Sequence, residues 1–316
     1  MTLTLGPGPE FDRIRAIAAR LGPLAVGLGD DAAVIPLGGT NLVASIDCCV
    51  EGVHFRTDWL TFQEIGWRCA AAALSDLAAE GAGVVGVLVS IGSPNGTRRE
   101  PGAVGSDPVS DIMEGVGRAV SSVGGKVLGG DLVRSDTYLV DVCVLGEAGR
   151  PVTRAGAKPG DGIWATGAFG GPGAALASLM KGAKPSDRHR ARFAHPEPRI
   201  AGGRWLAEHG AHAMIDVSDG LAADLEHLAA ASGVSITIAA DQVPRVEGVE
   251  AVAALASGEE YELAVALPKD FADAGGFARV AGVPLTRIGV VAAGAGVHVT
   301  LGGRPVPVPA GFDHFR

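Results

Sequence analysis

The chain has 316 residues, enough for about two domains of the usual ~150 residues and for a large core. Its 48 glycines carry no collagen period, and 47% hydrophobic content excludes a disordered chain; 15 aromatics leave the core to Ala, Val, Leu and Ile and favour layered α/β packing over an all-β sandwich. A net charge of −9 without any basic run argues against nucleic acid as a partner, and an acidic protein that binds a polyanion needs divalent cations between the two.

A helix over Glu10–Leu21 opens the chain, with Phe11, Ile14, Ile17, Ala18 and Leu21 on one face and a stop at Gly22-Pro23. LVASID (42–47) reads as a strand, Phe62–Glu80 as a long Ala-rich helix and GVVGVLVSIG as a buried strand. A polar loop (93–106), a helix near 107–123 and the strand TYLVDVCVLGEA follow. The Gly, Pro, Arg and Lys of 149–160 mark a boundary, dividing the chain into 1–148 and 149–316. Beyond it come the strand DGIWATG, helices in FGGPGAALASLM and PEPRIAGGRWLAEHG, and strand, loop, helix and strand in AMIDVSDGLAADLEHLAAASGVSITI. A helix near 249–256, the strand YELAVALP, a helix after Asp270 and strands at RIGVVAAG and VHVTL complete the series. Both halves mix strands and helices, so the expected class is α/β (α+β) in two domains.

Cys48, Cys49, Cys69 and Cys143 show neither C-x-x-C spacing nor a paired framework, which suits a reducing cytoplasm. No apolar run reaches the length of a membrane span, and MTLTLGPGPEFDR lacks a basic segment followed by an apolar one, so neither secretion nor insertion is expected.

Aspartates recur where elements end beside small residues: Asp30 and Asp31 in GLGDDAAVIP, Asp47 in ASIDCCVEGVHF, Asp76 in ALSDLAAEGA, Asp131 in LGGDLVRSD, and Asp216, Asp219 and Asp224 in IDVSDGLAADL. Gly-Asp-Asp is also ordinary turn chemistry, and Ser218 or Asp219 equally suits a helix N-cap. Asp76 stands apart, because a carboxylate inside an apolar helix requires a partner or a cation. Five segments each offering a carboxylate suggest a cluster for several hard cations such as Mg²⁺, and hence phosphoryl chemistry. No P-loop lysine, G-x-S-x-G elbow, H-E-x-x-H or protein-kinase signature is present; GAFGGPG suits tight packing or an anion at a helix N-terminus.

Taken together, GLGDDAAVIP, VEGVHF, LSDLAAEGA, GGDLVRS, RAGAKPGD, IDVSDGLAADLEHLAAASG, SGEEYEL and GFDHF resemble the thiamine-monophosphate kinase family of the aminoimidazole-ribotide-synthetase-like superfamily across nearly the whole chain. Neither the terminal cysteine motif of the hydrogenase-maturation relatives nor the early reactive cysteine of the selenophosphate relatives is found. The resemblance implies an N-terminal mixed-sheet dimerisation domain, a C-terminal α/β domain and a homodimer. It implies Mg²⁺ ligands at Asp31, Ser45, Asp47, Asp76, Asp131, Asp216 and Asp219, ATP contacts at Gly130, Asp131, Arg154 and Ser218, and thiamine-phosphate contacts at His54, Glu259 and Phe312. Asp47, Asp131 and Arg154 would serve the chemistry, with Arg134 near. The implied reaction moves the γ-phosphoryl of ATP directly onto thiamine monophosphate. Departures are Ile46 and Cys48 in place of threonines around Asp47, Leu132 and Val133 in place of threonines after Asp131, and Glu260 in place of aspartate. Two other readings stay open: another ATP-using superfamily member acting on an amide or formamide, and a nucleotide-binding homologue without turnover.

Overall fold

A computed structural model describes residues 4–25, 28–94 and 107–312. In chain order the elements are α1 (Pro9–Leu21), β1 (Ala33–Leu37), β2 (Thr40–Val50), α2 (Phe62–Ala79), β3 (Gly83–Ser93), α3 (Pro108–Ser122), β4 (Val127–Arg134) and β5 (Leu139–Ala148). Then follow β6 (Gly162–Thr166), α4 (Gly171–Met180), α5 (Asp187–Ala194), α6 (Ile200–Glu208), β7 (Ala213–Asp216), α7 (Leu221–Ser232) and β8 (Ser235–Ala239). The series ends with α8 (Ala251–Leu255), β9 (Leu263–Leu267), α9 (Ala274–Ala281), β10 (Leu285–Ala292), β11 (Gly296–Leu301) and β12 (Arg304–Val306).

Two mixed sheets result, ordered β1-β2-β5-β3-β4 and β12-β11-β8-β10-β6-β9-β7. In the first, β3 and β4 run parallel across the α3 crossover and the other pairs are antiparallel; in the second, β11 and β8 are the parallel pair. The expected elements are present. Four others lie where no element was assigned: β1, β4, β12 and α5. The polar loop of 93–106 falls almost entirely outside the described residues, as do Asp313, His314 and Phe315 of GFDHF.

Helix α2 is the axis of the molecule. Thr61 caps it, accepting from the Glu64 N–H at 3.2 Å while the Glu64 carboxylate accepts from the Thr61 N–H at 2.8 Å. Its alanines allow neighbours to approach from several sides: the inward side chains Val87, Val89, Ile91, Val140, Val142 and Val144 of the first sheet pack with α2 and α3, and the same core runs on into Leu206, Met214 and Phe277. Where α2 meets α3, a Cβ on Gly66 would lie 1.9 Å from the Ile112 carbonyl oxygen, so only glycine permits that approach. This centrality places Arg68, Ser75 and Asp76 between the two sheets.

Alternation along β2 sorts its side chains. Ile46 and Cys48 are exposed on the outward face, whereas Ser45, Asp47 and Cys49 belong to the inward register that pairs with Val144, Val142 and Val140. The departures at Ile46 and Cys48 therefore fall on the face away from Asp76, and the hydroxyl on the inward face is supplied by Ser45.

Candidate active site

Asp31 follows the Gly29 turn, Asp76 lies on α2 and Asp216 ends β7; their carboxylate oxygens converge within 4.8 Å of one another. Ser45 donates to Asp76 at 2.5 Å, and Ser75 donates to Asp216. Arg154 grips Asp31 through two hydrogen bonds, Nε to Oδ2 at 3.1 Å and Nη2 to Oδ1 at 2.7 Å, and its backbone N–H donates to Asp30 at 2.9 Å. The cluster is thus assembled from the turn before β1, from β2, α2 and β7, and from the segment linking the two sheets.

Crowded carboxylates repel, and the titration of these groups records it. Burial, then the charges of Asp47, Asp216 and Asp31, pushes Asp76 well above the ordinary range, against the pull of the Ser45 hydrogen bond. Burial and then Asp31 do the same to Asp216, opposed by Ser75 and Arg154. Asp47 is therefore close enough to act on both. A site of three carboxylates, a serine hydroxyl and neither nitrogen nor sulfur is the donor set that a hard cation takes. Beside it, burial followed by Asp30 and Asp31 pushes Glu80 up to about 10, and burial followed by Asp31 pushes Asp30 up to about 6.

A second group of residues meets where the loop after β7 crosses the loop before β9. The Glu259 N–H donates to the Ser218 carbonyl at 2.6 Å, and the Tyr261 N–H to the Val217 carbonyl at 2.9 Å. Glu259 and Tyr261 both hold positive φ, +60° and +51°, a conformation that side chains other than glycine adopt at a cost and that clusters at functional loops. Arg68 of α2 fixes the strained loop: it forms an ion pair with Glu259, donates to the Phe193 carbonyl and stacks over the Phe193 ring at 4.3 Å. Below it, burial alone would raise Glu262, but Arg199 and Arg192 outweigh that effect and hold it under the usual range. Glu260 takes the place of the expected aspartate at the N-terminus of α4, accepting from the Gly170 N–H and from Ser257.

The remaining assigned residues lie elsewhere. Asp219 and Phe312 border a cavity of about 180 Å³ together with Phe11 and His227, whose rings stack at 4.0 Å. The Phe312 N–H donates to the Asp219 carbonyl at 3.0 Å, and Asp224 accepts from the Asp219 and Gly220 N–H groups. His54 sits in the turn after β2, its Nδ1 accepting from the Val50 N–H at 3.0 Å. Asp131 does not join the acidic cluster within one chain. The register carries it on the row Cys48–Asp141–Ser90–Asp131, the outward face, whereas Asp47 lies on the row Asp47–Val142–Val89–Gly130. Gly130, Asp131 and Arg134 are exposed on edge strand β4.

Arg68 and Ser75 were not among the assigned residues. The signal that singled out Asp76, a polar group in an apolar Ala-rich helix, applies equally to both.

Residues 29–148 match the family model described as AIR synthase related protein, N-terminal domain, and 158–302 match its C-terminal domain. The chain is 38% identical over 258 residues to the thiamine-monophosphate kinase of Mycobacterium tuberculosis, covering 81% of this chain and 75% of that protein. It is 32% identical over 290 residues to the enzyme of the same name from Methanopyrus kandleri, covering 88% and 87%. A solved structure described as AaThiL complexed with AMPPCP and TMP superposes with a TM-score of 0.84 at 29% identity, covering 97% of both chains.

Proposed function

Because this chain belongs to the thiamine-monophosphate kinases among the AIR synthase related proteins, we propose that it transfers the γ-phosphoryl group of ATP to thiamine monophosphate, giving thiamine diphosphate and ADP. The observation that carries the reading is the convergence of Asp31, Asp76 and Asp216 beside a pinned Arg154, in a chain that superposes over 97% of its length on a relative holding an ATP analogue and TMP.

The chemistry suits the inventory. A phosphate monoester, with its second pKa near ~6, is already anionic at neutral pH, so the acceptor needs no general base. The barrier is the repulsion of two polyanions and their alignment for in-line attack. Asp31, Asp76, Asp216 and Asp47, with Ser45, would hold Mg²⁺, which when bound neutralises phosphate oxygens and orients the transferring group. Arg154, fixed in direction by its two bonds to Asp31, presents its guanidinium to a phosphate oxygen. Ser75 and Ser45 hold the Asp216 and Asp76 carboxylates in place.

Specificity is assigned to Glu259, Phe312 and His54. Glu259, positioned by Arg68, accepts from the aminopyrimidine; Phe312 stacks on a thiamine ring at the mouth of the Phe11–His227 cavity; and His54 contacts thiamine monophosphate. Ser218 and Gly130 contact ATP, and Asp219 adds a further cation ligand. The outward face of the first sheet, where Ile46, Leu88 and Val133 are exposed beside Asp131, supports a homodimer in which a second copy covers this face. The division near residue 148 separates the dimerising unit from the one that closes over nucleotide. Four free cysteines and the lack, among the described residues, of a helix able to cross a membrane support a cytoplasmic enzyme.

Incubation of purified protein with ATP, Mg²⁺ and either thiamine monophosphate or thiamine tests the reading. Equimolar thiamine diphosphate and ADP from the monophosphate alone are expected. ADP with free phosphate, or no turnover, would overturn it, and a labelled protein after γ-labelled ATP alone would overturn direct transfer.

A further inference from the structure

Beside the cluster of Asp31, Asp76 and Asp216 stands a second convergence of acids. Asp30, Asp31 and Glu80 place carboxylate oxygens within 4.8 Å of one another, sharing Asp31 with the first set. Glu80 is the residue that ends α2, one turn beyond Asp76, so both carboxylates leave the same side of the helix. It has no exposed surface, and among the described residues neither of its oxygens meets a partner at hydrogen-bonding distance and angle; the nearby Ala32 N–H favours its charged form but is outweighed by burial. Its backbone is fixed on both sides: the N–H donates to the Asp76 carbonyl at 3.1 Å, and the carbonyl accepts from Val152 at 3.1 Å. Asp30 is held by the N–H groups of Arg154 and Asp31. The side chains are therefore aimed at one point by structure that does not itself satisfy Glu80.

A fully buried, unpartnered acid is costly unless something neutralises it. Three carboxylates set against the single guanidinium of Arg154 leave a formal charge of −2, the charge that one divalent ion balances. Bonds of about 2.0–2.1 Å to Mg²⁺ or 2.3–2.6 Å to Ca²⁺ separate opposite ligand oxygens by roughly 4–5 Å, which spans the observed spread.

We propose that Asp30, Asp31 and Glu80 form a further binding site for a hard divalent cation, with Asp31 bridging it to the neighbouring acidic cluster. The ion ties the turn carrying Asp30 and Asp31 to the end of α2, and through Asp30 it fixes the backbone of Arg154. The site rests on the placement of three acids and not on the identity of the phosphoryl acceptor.

Mn²⁺ is the probe, used on nucleotide-free full-length protein. In an Asp76→Asn background, which disables the first cluster, crystals soaked in Mn²⁺ should show an anomalous peak between Asp30, Asp31 and Glu80. Adding Glu80→Gln should remove that peak and weaken Mn²⁺ binding, followed by electron paramagnetic resonance, at least tenfold. Asp30→Asn serves the same purpose where the glutamine variant does not fold. A map without a peak beside Glu80, or Mn²⁺ affinity unchanged by both substitutions, would mean that Glu80 carries a proton instead and would overturn the site. Product formation from thiamine monophosphate is read separately, so this failure and a failure of the kinase reading are distinguishable.

Discussion

Replacing Asp76 by asparagine should stabilise the metal-free protein while abolishing turnover. Carboxylate oxygens of Asp76, Asp31 and Asp216 lie within 4.8 Å of one another. The charge of Asp31 is offset by its two bonds to Arg154, which leaves Asp47 and then Asp216 as the neighbours that act most on Asp76. Two unit charges at that distance in an effective dielectric near 20 repel by about 3.5 kcal/mol. Partial protonation and relaxation reduce the figure. At pH 8 in EDTA the asparagine should gain ~1–2 kcal/mol, or about 2–8 °C in Tm, because its carbonyl oxygen still accepts from Ser45. With Mg²⁺ added, the unsubstituted protein should overtake it: a ligand at 100 times its Kd contributes ~2.7 kcal/mol, and the variant should receive less than half of that. Its kcat should fall by at least ~100-fold, the scale of losing one group that stabilises developing charge. Differential scanning calorimetry across an Mg²⁺ titration measures both halves. A variant less stable than the parent in EDTA, or one with an undiminished Mg²⁺ shift, would refute the electrostatic account of the cluster.

Three further outcomes are expected. Gly66→Ala places a Cβ 1.9 Å from the Ile112 carbonyl oxygen and should cost ~3 kcal/mol by calorimetry, whereas Gly117→Ala on α3, where a Cβ meets nothing within 4 Å, should leave Tm unchanged or raise it. Burial, then Arg154, holds His227 down at about 4. The unfolded chain, with its ordinary value of 6.5, therefore binds one proton more between pH 4 and 6.5, and stability should rise by up to ~1.4 kcal/mol per pH unit across that window and level off above it; His227→Phe should flatten the slope of urea midpoints there. Leu88→Asp, on the outward face at 41% exposure, should convert a dimer of about twice 31.8 kDa to monomer in light scattering, and a mass unaffected by the substitution would contradict the assigned interface.

What the sequence disclosed follows from which signals are local. The helix expected over Phe62–Glu80 was legible because its alanine-rich run lies within the segment itself, and it forms over Phe62–Ala79. Strand β4 was not, because VLGGDLVR carries two glycines, is exposed along its whole length and is a strand by virtue of pairing with β3 across a helix. Helix α5 escaped for the opposite reason: DRHRARFA looks like a solvated charged stretch, yet Phe193 and Ala194 are buried and its Arg192 bonds Glu260 and Glu262. Of the residues assigned as ligands, Asp31, Ser45, Asp76 and Asp216 lie together, while Asp131 lies on the other side of the sheet. A one-residue step along a strand decides that, and motif spacing alone does not report it.

The same parity explains which departures from the family pattern touch the chemistry. Ile46 and Cys48 replace hydroxyl residues, yet both project outward, so the inward carboxylate cluster keeps its serine hydroxyl and gains apolar surface on the face assigned to a second subunit. Glu260 reaches one methylene further than aspartate, and its oxygens meet the Gly170 N–H, Ser257 and Arg192. The extra length is taken up at the N-terminus of α4, where a carboxylate is favoured by the orphan N–H groups, and the backbone of Glu259 is held independently by Ser218. Ile46, Cys48 and Glu260 thus change an interface or a support and leave the phosphoryl-transfer groups in place. Restoring the hydroxyl with Ile46→Thr should accordingly alter subunit affinity more than kcat.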